Sequence, residues 1–279
     1  MKPVKVRGTM EEVNTSSDKG TNAYGSKSVA GQEIKTVCPY CGVGCGLILK
    51  VKGNKIVGVR GNPESPVNKG NLCIKGALGY EFVNHPGRLT KPLIKKEGKF
   101  VEVSWEEALD YVSKKLLGYK GDKFALIASA KCTNEDNYVF QKFARVVMGT
   151  NNVDHCARLC HAPTVPGLMQ TFGSGAMTNS INEIINTKTI FAIGTNTTAA
   201  HPIISLEMIK AVRNGAKLIV ANPKKIDLSK YATIFLQHKP GTDVALLMVM
   251  MKVIVYEYLV DKDFTKERCE NFEEFRKSL

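Results

Sequence analysis

The sequence predicts an α/β protein, with a small cysteine-bearing module ahead of Rossmann-like parallel-sheet regions. Two patterns predict it. Cys38, Cys41, Cys45 and Cys73 fall at C-x2-C-x3-C-x27-C around a stretch that reads as a β-hairpin. From Lys99 onward, short apolar strands alternate with helical segments, the pattern of βαβ units and a parallel sheet.

Residues 1–30 are rich in Ser, Thr, Asn, Gly and Lys and lack periodic apolar positions, so a disordered leader is expected there. A cluster module is expected over 31–81. Within it Leu47-Ile48-Leu49-Lys50-Val51 and Ile56-Val57-Gly58-Val59-Arg60 flank Lys52-Gly53-Asn54-Lys55 as a hairpin, and Cys73 closes the unit. A first α/β region is expected over 82–155 and a second over 156–279. Phe100-Val101-Glu102-Val103 reads as a strand, and Ser104-Trp105-Glu106-Glu107 as a capping box opening a helix to about Leu117. A strand over Phe124–Ser129 precedes one helix from about Asn134 to Met148, ended by Gly149. Thr189–Ile193, Lys217–Ala221 and Ile234–Leu236 read as strands. Pro202 starts the helix between the first two, and a helix from about Thr242 to Glu257 follows the third. The sequence has no internal repeat.

Three of the four spaced cysteines lie in the Gly-rich turn Cys38-Pro39-Tyr40-Cys41-Gly42-Val43-Gly44-Cys45, and the fourth in Asn71-Leu72-Cys73-Ile74-Lys75-Gly76. An all-thiolate set selects zinc or an iron–sulfur cluster. Structural zinc usually pairs two short knuckles, whereas this distribution is three plus one. Gly42, Gly44 and Gly46 are expected to leave room for a cubane and for backbone amides near its sulfurs. A [4Fe-4S] cluster is the better fit.

The composition excludes several classes. With 43% hydrophobic and 8% aromatic residues, the chain is ordinary for a globular protein. It has no run long enough to span a bilayer and no export signal at its start, so a cytoplasmic location is expected. Eight cysteines in 279 residues, four of them in metal-ligand spacing, do not resemble a small disulfide scaffold. The net charge of +13 comes from scattered lysines without aromatic interleaving, which reads as a solvated surface and not a nucleic-acid interface.

In open α/β sheets ligands bind beyond the carboxyl ends of the strands. Three such ends carry polar loops: Gly194-Thr195-Asn196, Asn222-Pro223-Lys224-Lys225, and Lys239-Pro240-Gly241-Thr242-Asp243. Backbone amides there suit phosphate, and a carboxylate such as Asp243 suits a ribose or guanine edge. Each loop taken singly is equally well explained as turn chemistry. A second concentration of reactive groups is His155-Cys156-Ala157-Arg158-Leu159-Cys160-His161, ahead of Pro163 and the Gly-rich loop at Gly173. Cys160 beside His161 reads as a nucleophile, a metal ligand with a proton carrier, or a buried structural Cys beside a surface His. Cys156 and His155 read as structural, and Cys132 and Cys269 as small apolar residues.

These motifs together resemble the molybdopterin oxidoreductases. The resemblance rests on the cysteine turn, Asn71-Leu72-Cys73-Ile74-Lys75-Gly76, Ser104-Trp105-Glu106-Glu107-Ala108 and Gln141-Lys142-Phe143-Ala144-Arg145. Asn151-Asn152-Val153-Asp154, Leu159-Cys160-His161-Ala162-Pro163 and Gly175-Ala176-Met177-Thr178-Asn179 look like formate dehydrogenase catalytic subunits in particular. The resemblance implies molybdenum or tungsten held by two molybdopterin guanine dinucleotides, with Cys160 as metal ligand and His161 as acid/base. It implies Lys75 on the electron path between cluster and pterin, and Gly194, Asn196, Asn222, Pro223, Gly241 and Asp243 as guanine-dinucleotide contacts. Lys131 stands near the family's arginine in a Ser-Ala-Arg-Cys type segment. The implied partners are formate, an electron-accepting subunit of Fe–S or flavin type, and a C-terminal half of the catalytic subunit beyond Leu279. Taking two electrons from a C–H bond requires a redox-active cofactor, since no side chain here readily accepts both.

Three alternatives compete. The molybdenum or tungsten subunit of formylmethanofuran dehydrogenase also carries a Cys-His pair, but Gly61-Asn62-Pro63 with the Cys73-Ile74-Lys75-Gly76 closure favours formate dehydrogenase. An electron-transfer or assembly module would bind the cluster without pterin. A basic zinc module would bind nucleic acid.

Overall fold

The computed structural model describes residues 31–279, so the leader expected over 1–30 lies outside the described residues. Gln32–Val37 (β1), Gly46–Lys52 (β2) and Lys55–Gly61 (β3) form an antiparallel sheet in that order. The expected hairpin is β2–β3. β1 was not expected, and all six of its residues are exposed, so it carries none of the alternation that marks a half-buried strand. The short helix Ile74–Leu78 (α1) starts directly after Cys73.

Leu93–Lys96 (β4) and Lys99–Glu102 (β5) form a second hairpin, turning through Glu97 and Gly98, both at positive φ. Trp105–Leu116 (α2) follows. Its expected capping box is only half made. Ser104 Oγ accepts from the Glu107 N–H at 3.1 Å, but the Glu107 carboxylate accepts from Lys96 Nζ at 2.7 Å instead of reaching back.

Leu126–Ala128 (β6) leads into Asn134–Lys142 (α3), which Thr133 and Asp136 cap reciprocally. The single helix expected to Met148 divides here. Phe143–Val147 widens into a π turn, with Met148 N–H donating to the Phe143 carbonyl at 3.1 Å. The wide turn buries Ala144 and Met148 and sets Phe143 edge-on to Phe124. Val153–His155 (β7) pairs parallel with β6. Beyond Pro163 the chain forms Thr164–Phe172 (α4), ended by Gly173 at φ 74°, where only the Gly-rich loop was expected.

Thr189–Ile193 (β8) is followed by Thr197–Ala200 (α5) and Pro202–Arg213 (α6), then Lys217–Ala221 (β9) and Ile234–Leu236 (β10). All three strands match their expected limits and form a parallel sheet ordered β10-β9-β8. Asp243–Tyr256 (α7), Lys262–Arg268 (α8) and Phe272–Ser278 (α9) complete the described chain.

The sheet's core gathers Ala192, Met208, Leu218, Val220, Ile226 and Leu228. Full burial of side chains such as Leu218 and Val220 contributes about 1.5–3 kcal/mol each. A second core joins Cys38, Val43, Cys45 and Leu47 to Ile203. Helix α6 therefore serves both, sending Met208 to the sheet and Ile203 beneath the cysteine turn. Helix α7 is nearly all apolar, yet only Val255 on it is buried and Val244 is 72% exposed. Among the described residues no helix is long and apolar enough to cross a membrane.

Candidate functional site

The cysteine turn is closed by its own backbone. Cys38 N–H donates to the Cys45 carbonyl at 2.8 Å, folding three thiols onto one side. The fourth arm is brought in by a residue that sequence reasoning missed, the buried Asn68. Its Oδ1 accepts from Gly46 N–H at 2.9 Å. Its Nδ2 donates to Gly46 O at 3.0 Å and to Asn71 O at 2.6 Å. One amide thus ties the end of the turn to the residue two before Cys73. No local signal marks Asn68, since its partners lie in two separate segments.

Gly46 is needed for a different reason from the one expected. A Cβ there would lie 2.6 Å from Ser65 Cβ, so the glycine makes room for Ser65 and not for a cluster. On the other arm, Gly79 admits Tyr40: a Cβ would sit 2.2 Å from the ring, and the Tyr40 hydroxyl donates to Gly79 O at 2.7 Å.

Cys38, Cys41, Cys45 and Cys73 are free thiols lining one cavity, walled also by Tyr40, Val43, Leu72 and Gly76 and floored by Pro202 and Ile203. Burial, then repulsion from Cys38, Cys41 and Cys73, pushes the Cys45 thiol up to about 11. A thiol held in that way gives up its proton when a cation binds beside it. Among the described residues no three His, Cys, Asp or Glu side chains converge as ligands of a single ion would. Thiols spread around a cavity suit a multi-iron cluster better than one tetrahedral zinc. The N-terminus of α6, through Pro202, adds a favourable dipole end beside an anionic cluster.

The three polar loops lie at one edge because β8, β9 and β10 run parallel. Gly194 takes φ 62° and donates to Ala221 O at 3.0 Å, while the Asn196 carbonyl accepts from the Ala199 and Ala200 amides of α5. Asn222 Oδ1 accepts from Lys224 N–H at 3.0 Å, and Gln237 Nε2 donates to Pro223 O at 2.9 Å, stitching the second loop to the third. Past Gly241, one Asp243 carboxylate oxygen lies 2.9 Å from His238 Nε2. Lys75 connects this edge to the cysteine cavity, its ammonium donating to Ala199 O at 2.9 Å.

Cys160 and His161 are both exposed and, among the described residues, make no hydrogen bond or ion pair to the strand-end loops. Exposure removes the reading of Cys160 as a buried structural cysteine. Cys132 and Cys269 are exposed too, correcting their reading as small apolar residues; Cys132 Sγ donates to Ser129 O at 2.9 Å. Cys156 keeps its structural role, accepting from Ala130 N–H at 3.1 Å.

Residues 32–85 match the profile of the molybdopterin oxidoreductase Fe4S4 domain, and residues 88–268 match that of molybdopterin oxidoreductase. The chain belongs to the molybdopterin oxidoreductase family. Among its relatives, F420-dependent formate dehydrogenase subunit alpha of Methanocaldococcus jannaschii is 50% identical over 246 residues, which are 88% of this chain and 36% of the relative. Formate dehydrogenase H of Escherichia coli is 46% identical over 257 residues, again 88% of this chain and 36% of the relative. The chain therefore spans about a third of the length of these curated relatives. The structure of acetylene hydratase from Pelobacter acetylenicus superposes with a TM-score of 0.69 at 25% identity, over 88% of this chain and 34% of that one. That protein is named a hydratase, so the shared fold does not by itself choose a reaction.

Proposed function

We propose that this chain is the N-terminal portion of a catalytic subunit that oxidises formate to carbon dioxide. The observation that carries the reading is the set of four free thiols around one cavity, joined through Lys75 to the edge where three strand-end loops meet. Cys38, Cys41, Cys45 and Cys73 hold a [4Fe-4S] cluster. Gly194, Asn196, Asn222, Pro223, Gly241 and Asp243 lie at the edge that would hold guanine dinucleotide, where backbone amides suit phosphate and a carboxylate such as Asp243 suits the guanine or ribose. The relatives are formate dehydrogenases, which favours formate as substrate, and the match over residues 88–268 argues against a cluster module without pterin.

When bound, molybdenum or tungsten on two molybdopterin guanine dinucleotides supplies the two-electron redox chemistry that no side chain provides. The chain's own groups do the rest. The exposed Cys160 offers a soft thiolate to the metal. His161 beside it would offer a ring nitrogen to the proton lost from the substrate. Lys75, bound to Ala199 O, would lie between the dinucleotide edge and the cluster, which would pass electrons on to an accepting subunit of Fe–S or flavin type.

The test is formate-dependent dye reduction by the complete subunit, assayed anaerobically with metal and pterin contents measured on the same sample. Reduction is expected. No reduction by protein with full metal and pterin would contradict the assignment.

A further inference from the structure

The loop between β6 and α3 belongs neither to the cysteine cavity nor to the strand-end edge, yet it is held from several sides. Lys131 N–H donates to Ser129 Oγ at 3.0 Å, Ala130 N–H to Cys156 Sγ at 3.1 Å, and Asn137 Nδ2 to Ser129 O at 3.3 Å. From this fixed loop the Lys131 ammonium donates to the Tyr40 carbonyl, 91 residues earlier in the chain. Tyr40 lies between Cys38 and Cys41, and its side chain walls the cavity. Its hydroxyl is bound to Gly79 O at 2.7 Å. Lys131 thus grips the turn from the α/β side, while Gly79 grips it from the arm that carries Cys73.

We propose that Lys131 is a positioning residue that pins the cysteine turn to the α/β region and, by its charge, raises the reduction potential of the cluster. This rests on the reading of the four cysteines as cluster ligands. A cluster held by four thiolates is anionic and gains a further negative charge on reduction, so a cation alongside favours the reduced form. Lys131 is exposed, so its field is damped by water and by salt. The bond to Tyr40 holds the ammonium beside the turn, where its field acts at short range.

The experiment is a redox titration followed by electron paramagnetic resonance on anaerobically prepared protein, for wild type, Lys131→Met and Lys131→Arg, at low and high salt. Iron and sulfide are assayed on each sample. Lys131→Met is expected to titrate at a more negative midpoint, Lys131→Arg close to wild type, and the gap to narrow as salt rises. Lys131→Gln keeps a donor for the Tyr40 carbonyl without the charge and is expected to shift in the same direction, so the charge is tested even where Lys131→Met takes up too little iron. A full cluster with an unmoved midpoint in Lys131→Met or Lys131→Gln overturns the proposal, as does an equal shift in Lys131→Arg. Iron-free wild-type protein overturns the cluster reading beneath it, a result distinct from a full cluster with an unmoved midpoint.

Discussion

Lys75 Nζ donates to the Ala199 carbonyl at 2.9 Å, across 124 residues of sequence. The residue two after Cys73 therefore reaches the helix that follows the Gly194-Thr195-Asn196 loop. An ammonium in that position joins the cysteine cavity to the strand-end edge.

If that contact carries electrons between pterin and cluster, Lys75→Met should leave iron, sulfide and pterin contents unchanged. Formate-dependent dye reduction should fall about tenfold, a barrier change of about 1.4 kcal/mol. Unchanged turnover in Lys75→Met would remove Lys75 from the path.

Cys160 and Cys132 are both exposed thiols, which makes them a fair pair to compare. Replacing a soft thiolate ligand by a harder oxygen should collapse formate oxidation in Cys160→Ser of the complete subunit. Cys132→Ser should do little, because a hydroxyl can still donate to Ser129 O. Equal losses from the two changes would contradict the ligand role of Cys160.

Asn68 offers a stability test. Asn68→Leu keeps the branched shape but removes the bonds to Gly46 N–H, Gly46 O and Asn71 O. Gly46 O keeps the Asn62 N–H and Asn71 is exposed, so the main loss is the partner of Gly46 N–H, on the order of 1–3 kcal/mol for a donor left unsatisfied. Thermal unfolding should shift down and iron uptake should fall with it. A variant with wild-type melting and full iron would show that Asn68 does not hold the two arms together.

Much of this fold was legible in the sequence, for identifiable reasons. The strands β8, β9 and β10 match residue for residue, because parallel strands read as continuous apolar runs and these are bounded by polar turns. The β2–β3 hairpin was equally plain. What stayed hidden depends on contacts distant in sequence. The edge strand β1 carries no apolar alternation, the π turn at Phe143 follows from burying Ala144 and Met148, and Glu107 leaves its cap for Lys96 on the β4–β5 hairpin. At the site, the cysteine spacing announced itself, whereas Asn68 and the Lys131 grip on Tyr40 could be found only in three dimensions.

A polypeptide limited to residues 1–279 is expected to hold the cluster and turn over no formate. Cys160 and His161 face solvent, Leu159 beside them is 94% exposed, and most of the apolar helix α7 is uncovered. Surfaces of this kind favour association, so light scattering should show oligomers that supplying the downstream part of the subunit disperses. Formate-dependent dye reduction by residues 1–279 alone would contradict this expectation.

The most direct test of the account is to add formate to the oxidised, anaerobic complete subunit and record the low-temperature electron paramagnetic resonance spectrum. The signal of a reduced [4Fe-4S] cluster is expected, absent in Cys160→Ser and in Cys73→Ala. A silent spectrum from wild-type protein with full iron, metal and pterin would contradict it.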